Sequence, residues 1–146
     1  MAKKHKLPPI DFEQECSTVW SFPRRGNWVT HNSKWRGNWS PEVVRNLILR
    51  YSKEWDLLLD PMIWGGTTAI ESKLLGRDLL CYDINPEAIN LTKNLLNFEV
   101  ENNSKIEILH HNATVKNEEL KDESVDFVLD YLPDEKPLTE EEKWGI

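Results

Sequence analysis

From residue 56 onward, apolar and polar positions switch repeatedly between a run period and a helical period, which predicts strand and helix in alternation. Leu57-Leu58-Leu59 is a short, wholly apolar run closed by Asp60-Pro61, the pattern of a parallel strand covered on both faces. After the Gly65-Gly66 turn, Thr67 to Leu75 reads as a helix, and Gly76 stands where it can end that helix in the left-handed conformation. Leu79 to Ile84 is the next strand. Asn85-Pro86-Glu87 then opens a helix: Asn85 can cap free N–H groups, a proline loses nothing at the first helical position, and Glu87 lies near the positive end of the dipole. Ile89, Leu91, Leu95 and Leu96 are its expected buried side, and Lys105 to His110 and Val125 to Leu129 are two further strands. Upstream, Ser40-Pro41 starts a helix by the same cap-and-proline chemistry and carries Val43, Val44, Leu47 and Ile48 at helical spacing as far as about Tyr51. The alternation predicts an α/β fold, a Rossmann-like doubly wound parallel sheet with right-handed crossovers and about four strands. The expected organisation is a basic, aromatic segment over 1–39, the α/β domain over 40–134 and an acidic tail over 135–146.

Composition narrows the class. A chain of 146 residues is long enough for one domain with its own core. No apolar run approaches the roughly 20 residues that span a bilayer, so no membrane partner is expected. Met1 to Pro9 carries positive charge with no apolar stretch behind it, which does not read as a secretory signal. Cys16 and Cys81 are too far apart for a metal knuckle, and two cysteines in this setting point to a reducing, cytoplasmic compartment. His110-His111 lacks ligating partners at a telling spacing, so a structural role is expected there and no metal site.

The net charge of -7 argues against a polyanionic partner, but its distribution is uneven: up to Lys53 there are ten Lys or Arg against four Asp or Glu, and beyond it eight against twenty-one. Any phosphate backbone would therefore meet the front end, where Arg24, Arg25, Lys34 and Arg36 are interleaved with Trp28, Trp35 and Trp39. Packing of the segment onto the domain explains these tryptophans equally well.

The residues that point to chemistry are Asp60-Pro61-Met62-Ile63-Trp64-Gly65-Gly66-Thr67-Thr68, a strand end, a glycine turn and a helix start. Ligands of parallel α/β sheets sit at such carboxyl ends. Asp83 follows Asp60 by 23 residues, close to the roughly 20 expected for an acidic residue that holds ribose hydroxyls. Together the two features favour an adenosine-type ligand.

Asp60 to Thr68 resembles the Asp-Pro-Phe-x-Gly-Ser-Gly-Thr-Thr motif of the DNA adenine-N6 and cytosine-N4 methyltransferases. Gly37-Asn38-Trp39-Ser40-Pro41 is similar to the segment that precedes that motif and closes over the methionine end of the cofactor, and Asp83-Ile84-Asn85-Pro86-Glu87-Ala88 resembles the ribose-binding stretch. The likeness runs from Trp20 to Leu129, in the order of the group that is not circularly permuted. The resemblance implies S-adenosylmethionine as cofactor, held by Trp39, Ser40, Asp60, Pro61, Gly65, Gly66, Thr67, Asp83 and Asn112, and DNA as substrate.

Three departures stand out. Trp64 replaces the first loop glycine, where an indole is expected to strain the turn or project into the cofactor's space and so weaken binding. Asn112 replaces a carboxylate that accepts from the adenine amino group, although its amide oxygen can still accept. In place of an acceptor followed by Pro-Pro and an aromatic ring stands Tyr131-Leu132-Pro133-Asp134, or, shifted by one, Asp130-Tyr131-Leu132-Pro133. Asp130, Tyr131 and Pro133 are thus the candidate catalytic residues of a degenerate motif. Three readings follow: an amino-methyltransferase or part of one, a non-catalytic remnant that keeps the fold, and one part of an enzyme whose sheet a second chain completes.

Overall fold

The computed structural model describes residues 6–35 and 37–130. Among these, α1 (Pro41–Tyr51) is followed by β1 (Leu57–Asp60), α2 (Thr67–Leu74), β2 (Asp78–Asp83), α3 (Pro86–Leu95), β3 (Ile106–His110) and β4 (Phe127–Val128). The strands form one parallel sheet in the order β3-β2-β1-β4. The chain winds outward from β1 through β3 and then returns to place β4 on the other side of β1. The reversal leaves a crevice at the carboxyl ends beside β1, the usual ligand position in such sheets. No helix among the described residues is long and apolar enough to cross a membrane.

One face of the sheet carries the core. Leu58, Leu79, Cys81 and Leu129 meet Val44 and Ile48 of α1 and Ala69 of α2, all buried, and each large aliphatic so placed contributes about 1.5–3 kcal/mol. Burial also pushes the Cys81 thiol well above its ordinary pKa. The opposite face is less closed than the Leu57-Leu58-Leu59 run predicts, since Leu57 and Leu59 are only half-buried. There the segment after β3 lies against Tyr82, with His111 edge-on at 4.9 Å and Asn117 Nδ2 donating to the phenol oxygen at 2.8 Å.

Helix starts follow the expected chemistry with one correction. Asn85 caps α3 by accepting from the Glu87 N–H at 2.9 Å, but the Ser40 hydroxyl makes no cap and donates instead to the Glu42 carboxylate, the stronger acceptor. The strands are offset slightly from expectation. β2 begins at Asp78, paired with Leu57, and ends at Asp83, paired with His110, which leaves Ile84 outside the ladder and 65% exposed. Lys105 likewise precedes β3, its N–H donating to Asp78 Oδ1 at 2.7 Å. Around the two-residue β4, the Asp126 and Leu129 amides donate to Leu57 O and Leu59 O, each at 2.9 Å. In α3 the buried residues are Ala88, Ile89 and Thr92, whereas Leu91, Leu95 and Leu96 are half-buried. Close approach explains the difference: a Cβ on Gly66 would lie 3.1 Å from Thr92 Oγ1, so the helix reaches the glycine turn with its smaller side chains.

Gly76 ends α2 with φ 72°, as its position predicts. It accepts from the N–H of Trp55 at 3.0 Å, and Trp55 itself holds φ 73° while 60% exposed. Left-handed backbone in a bulky residue costs on the order of 1–3 kcal/mol, and glycine is free of that strain. Trp55→Gly is therefore expected to raise stability by about 1 kcal/mol, read from urea denaturation. A loss instead would mean that contacts of the exposed ring outweigh the strain.

Candidate functional site

At the carboxyl ends of β1 and β2 lies a cavity of about 350 Å³, at the small end of the range for ligand pockets. The turn after β1 contributes Pro61, Met62 and Trp64; the end of β2 contributes Asp83, Ile84 and Asn85; the loop after β3 contributes Asn112, Ala113 and Thr114; and Trp35 reaches in from the N-terminal segment. The walls are mainly apolar, with a carboxylate and two amides as polar handles. Such a lining suits a flat heterocycle carrying a sugar.

Asp83 is held from both sides. Its Oδ1 accepts from the Asn85 N–H at 2.8 Å and its Oδ2 from the Trp64 N–H at 3.1 Å. Each oxygen keeps a lone pair for a further donor. Asn112 turns its amide oxygen inward, accepting from the Thr114 N–H at 3.0 Å and the Thr114 hydroxyl at 2.8 Å, so the edge it leaves for a ligand is its Nδ2 donor. Trp64 meets both sequence expectations at once: it holds φ 48° and it walls the cavity. Its Nε1 is buried without a hydrogen-bond partner.

The other cofactor-binding candidates, Asp60 among them, do not line this cavity. Asp60 is 3% exposed, accepts from the Met62 N–H at 3.0 Å, and has its pKa raised to about 7, by burial first, with the carboxylates of Asp130 and Asp83 adding to the rise. Gly65, Gly66 and Thr67 are buried and line no part of this cavity. The Thr67 hydroxyl donates to the Asn38 side-chain oxygen and lies 3.3 Å from Trp39 O; Trp39 packs against the core, and neither it nor Ser40 lines this cavity. A nucleoside fits the residues that line the cavity. The side chains of Asn38 and Trp35 pack closely against Gly65, where an added Cβ would lie 2.7 Å from Asn38 Nδ2 and 2.9 Å from Trp35 Cβ.

Asp130, two residues beyond β4, is exposed; Tyr131 and Pro133 lie outside the described residues, as does Arg36. Of the basic candidates, Arg24 and Lys34 are exposed. Arg25 is turned inward, donating to Asn38 O at 3.0 Å and Asn32 O at 3.4 Å, and burial lowers its pKa. Other cations of the basic front end are also engaged: Arg50 donates to Glu15 O, and Lys53 pairs with Asp56 at 2.9 Å. His110 and His111 bond through Nε2 to Ile84 O at 3.0 Å and Val115 O at 2.8 Å. No group of metal-ligating side chains occurs among the described residues.

Sequence reasoning missed a buried polar cluster. Glu71, fully buried in α2, accepts from Trp28 Nε1 at 2.7 Å, His31 Nε2 at 2.7 Å and Arg45 at 2.6 Å. The guanidinium of Arg45 also lies 5.8 Å from the Trp28 ring centroid and 5.5 Å from that of Phe12. Trp28 thus packs the N-terminal segment onto α1 and α2. Trp35, Met62 and Ile84 also line the cavity without having been assigned to it; the signal for Met62 and Ile84 was their place inside the quoted motifs.

A parallel sheet of this order with a nucleoside-sized cavity at β1 and β2 defines a Rossmann-like α/β protein. The comparison with known proteins goes further: a family profile described as DNA methylase matches residues 2–94, and the chain belongs to that family. It is 32% identical over 88 residues to the type II methyltransferase M2.LlaDCHI of Lactococcus lactis subsp. cremoris, covering 58% of this chain and 31% of the relative. It is 31% identical over 94 residues to the type II methyltransferase M2.DpnII of Streptococcus pneumoniae, covering 62% and 34%. With the type II methyltransferase M.HpaI of Haemophilus parainfluenzae it shares 34% identity over 84 residues, covering 57% and 26%. The matched stretch therefore spans about a quarter to a third of the length of these relatives.

Proposed function

We propose that this chain is the cofactor-binding part of a DNA amino-methyltransferase, which transfers a methyl group from S-adenosylmethionine to N6 of adenine or N4 of cytosine. The observation that carries this reading is the cavity between Trp64, Asp83 and Asn112 in a member of the DNA methylase family. S-adenosylmethionine supplies the methyl group when bound. Asp83 accepts from ribose hydroxyls, Ile84 and Trp35 cover the base, and Asn112 meets its edge. Asp60 underlies the site. Arg24, Lys34 and Arg36 are the phosphate contacts, and strands from elsewhere, on this polypeptide's continuation or a second chain, complete the sheet beside β4.

A second reading, a non-catalytic remnant, is favoured by Tyr131-Leu132-Pro133-Asp134, which lacks the paired prolines and the stacking ring. Transfer to a base amino group needs that base flipped and held in line, and an ångström of misplacement can cost roughly a hundredfold in rate. The 146-residue chain is expected to transfer no labelled methyl to unmethylated genomic DNA above an Asp60→Ala control, and its retention on DNA is expected to be weak and to fall steeply with salt. Turnover above that control would remove the remnant reading. Adenosine is expected to bind, and Asp83→Ala to weaken it by about tenfold; absence of any nucleoside binding by calorimetry would overturn the cofactor reading itself.

A further inference from the structure

We infer that Thr67 and Glu71 of α2 are positioning residues for the nucleoside cavity: they fasten the N-terminal segment on both sides of Trp35 and so hold the part of the wall that the sheet and its loops do not supply. The inference rests on the cofactor reading above and adds to it the residues that assemble the site.

The cavity draws its lining from four places. Three lie at the carboxyl ends of β1, β2 and β3 and are anchored by the sheet. The fourth is Trp35, which stands upstream of α1 and outside every helix and strand. A side chain in such a stretch keeps its place only as far as bonds to the rest of the fold hold it.

Those bonds converge on α2. Thr67 and Glu71 are four residues apart in that helix and therefore share one of its faces. Before Trp35, Glu71 accepts from Trp28 Nε1 and His31 Nε2, each at 2.7 Å, and all three residues are buried. Arg45 takes the other carboxylate oxygen at 2.6 Å and so fixes the acceptor itself. After Trp35, the Thr67 hydroxyl donates to the Asn38 side-chain oxygen, and the Asn38 N–H donates back to Trp35 O at 3.3 Å. A further bond, from the Thr30 hydroxyl to Leu95 O at 2.5 Å, ties the same stretch to the end of α3. Trp35 is thus bracketed by His31 and Asn38, and it packs against the glycine turn, where a Cβ built on Gly65 would lie 2.9 Å from Trp35 Cβ. Loosening either fastening frees the indole from the wall, and a ligand must then order it again at a loss of affinity.

Titration calorimetry of the whole chain with adenosine tests this, with each substitution made in the wild-type and in the Trp35→Ala background. Trp35→Ala alone is expected to weaken binding about tenfold, through loss of a stacking ring. Thr67→Val, which removes the donor and keeps the side-chain volume, is expected to weaken it about threefold, and Glu71→Gln about fivefold. In the Trp35→Ala background both effects are expected to shrink below about 1.5-fold, because the wall they hold is already gone. A purely structural role for Thr67 and Glu71 gives the same loss in both backgrounds, and that result would overturn the inference. Wild-type affinity in the folded Thr67→Val and Glu71→Gln variants, or in Trp35→Ala, would overturn it too. Should Glu71→Gln not fold, Thr67→Val decides between these outcomes alone. Absence of adenosine binding by the wild-type chain would instead remove the cofactor reading, and the positioning role with it.

Discussion

Glu71→Leu is expected to destabilise the chain by about 3–5 kcal/mol, the loss typical of breaking a buried charge pair by removing one partner. Its carboxylate is fully buried and accepts from three side chains on two elements: Trp28 and His31 of the N-terminal segment and Arg45 of α1. Removing it strands the Arg45 guanidinium, whose Nε has no hydrogen-bond partner even in the native structure. Three well-made donors lose their acceptor together. Against a total stability of roughly 5–15 kcal/mol for a domain, such a loss brings the protein close to unfolding. Pairing Glu71→Leu with Arg45→Leu is expected to recover part of it, since an apolar replacement of both partners leaves no unpaired charge. Urea denaturation of the single and double variants measures both. A loss below about 1 kcal/mol in the single variant would show that the cluster is solvated or replaceable.

That cluster also marks the limit of what the chain's pattern discloses. Helix starts and the periodic part were legible because their signals are local: Asn85-Pro86 opens α3, Gly76 closes α2, and the leucines of β1 announce a strand. Glu71 has no such signal. It sits in α2 like any solvated glutamate, and its partners lie 43, 40 and 26 residues away. The same holds for Asn38 and Gly65, whose contact spans a loop and a turn that neither period describes. Trp64 was legible as a misfit, because a bulky residue in place of a turn glycine has only strain or intrusion open to it, and it shows both. The buried side of α3 was misread for a related reason. Hydrophobicity ranks Leu91 and Leu95 above Thr92, but closeness to Gly66 selects the smaller side chain.

Asp60→Asn is expected to remove a pH dependence that the wild-type chain carries at the end of β1. The carboxyl group is 3% exposed and ionises at about 7 in place of 3.8. Burial is the main cause, and the neighbouring carboxylates of Asp130 and Asp83 add to it. In the unfolded chain the same group releases its proton near 3.8. Between those two values the folded state holds a proton that the unfolded state has lost, so stability falls as pH rises, by about 1.4 kcal/mol per pH unit. The contribution is therefore complete in acid, below the unfolded value. It is lost through the interval up to about 7, and above it the fold retains a buried carboxylate at a standing disadvantage on the order of 4 kcal/mol. Asparagine keeps the oxygen that accepts from the Met62 amide and cannot ionise. The variant is thus expected to exceed the wild type by several kcal/mol at pH 8 and to differ little at pH 4, with the gap opening in between. Denaturation of both proteins across that range reads the difference directly, because every other titrating group is common to the two. Parallel pH profiles would show that Asp60 is ionised and solvated throughout, and that its surroundings are wetter than its burial implies.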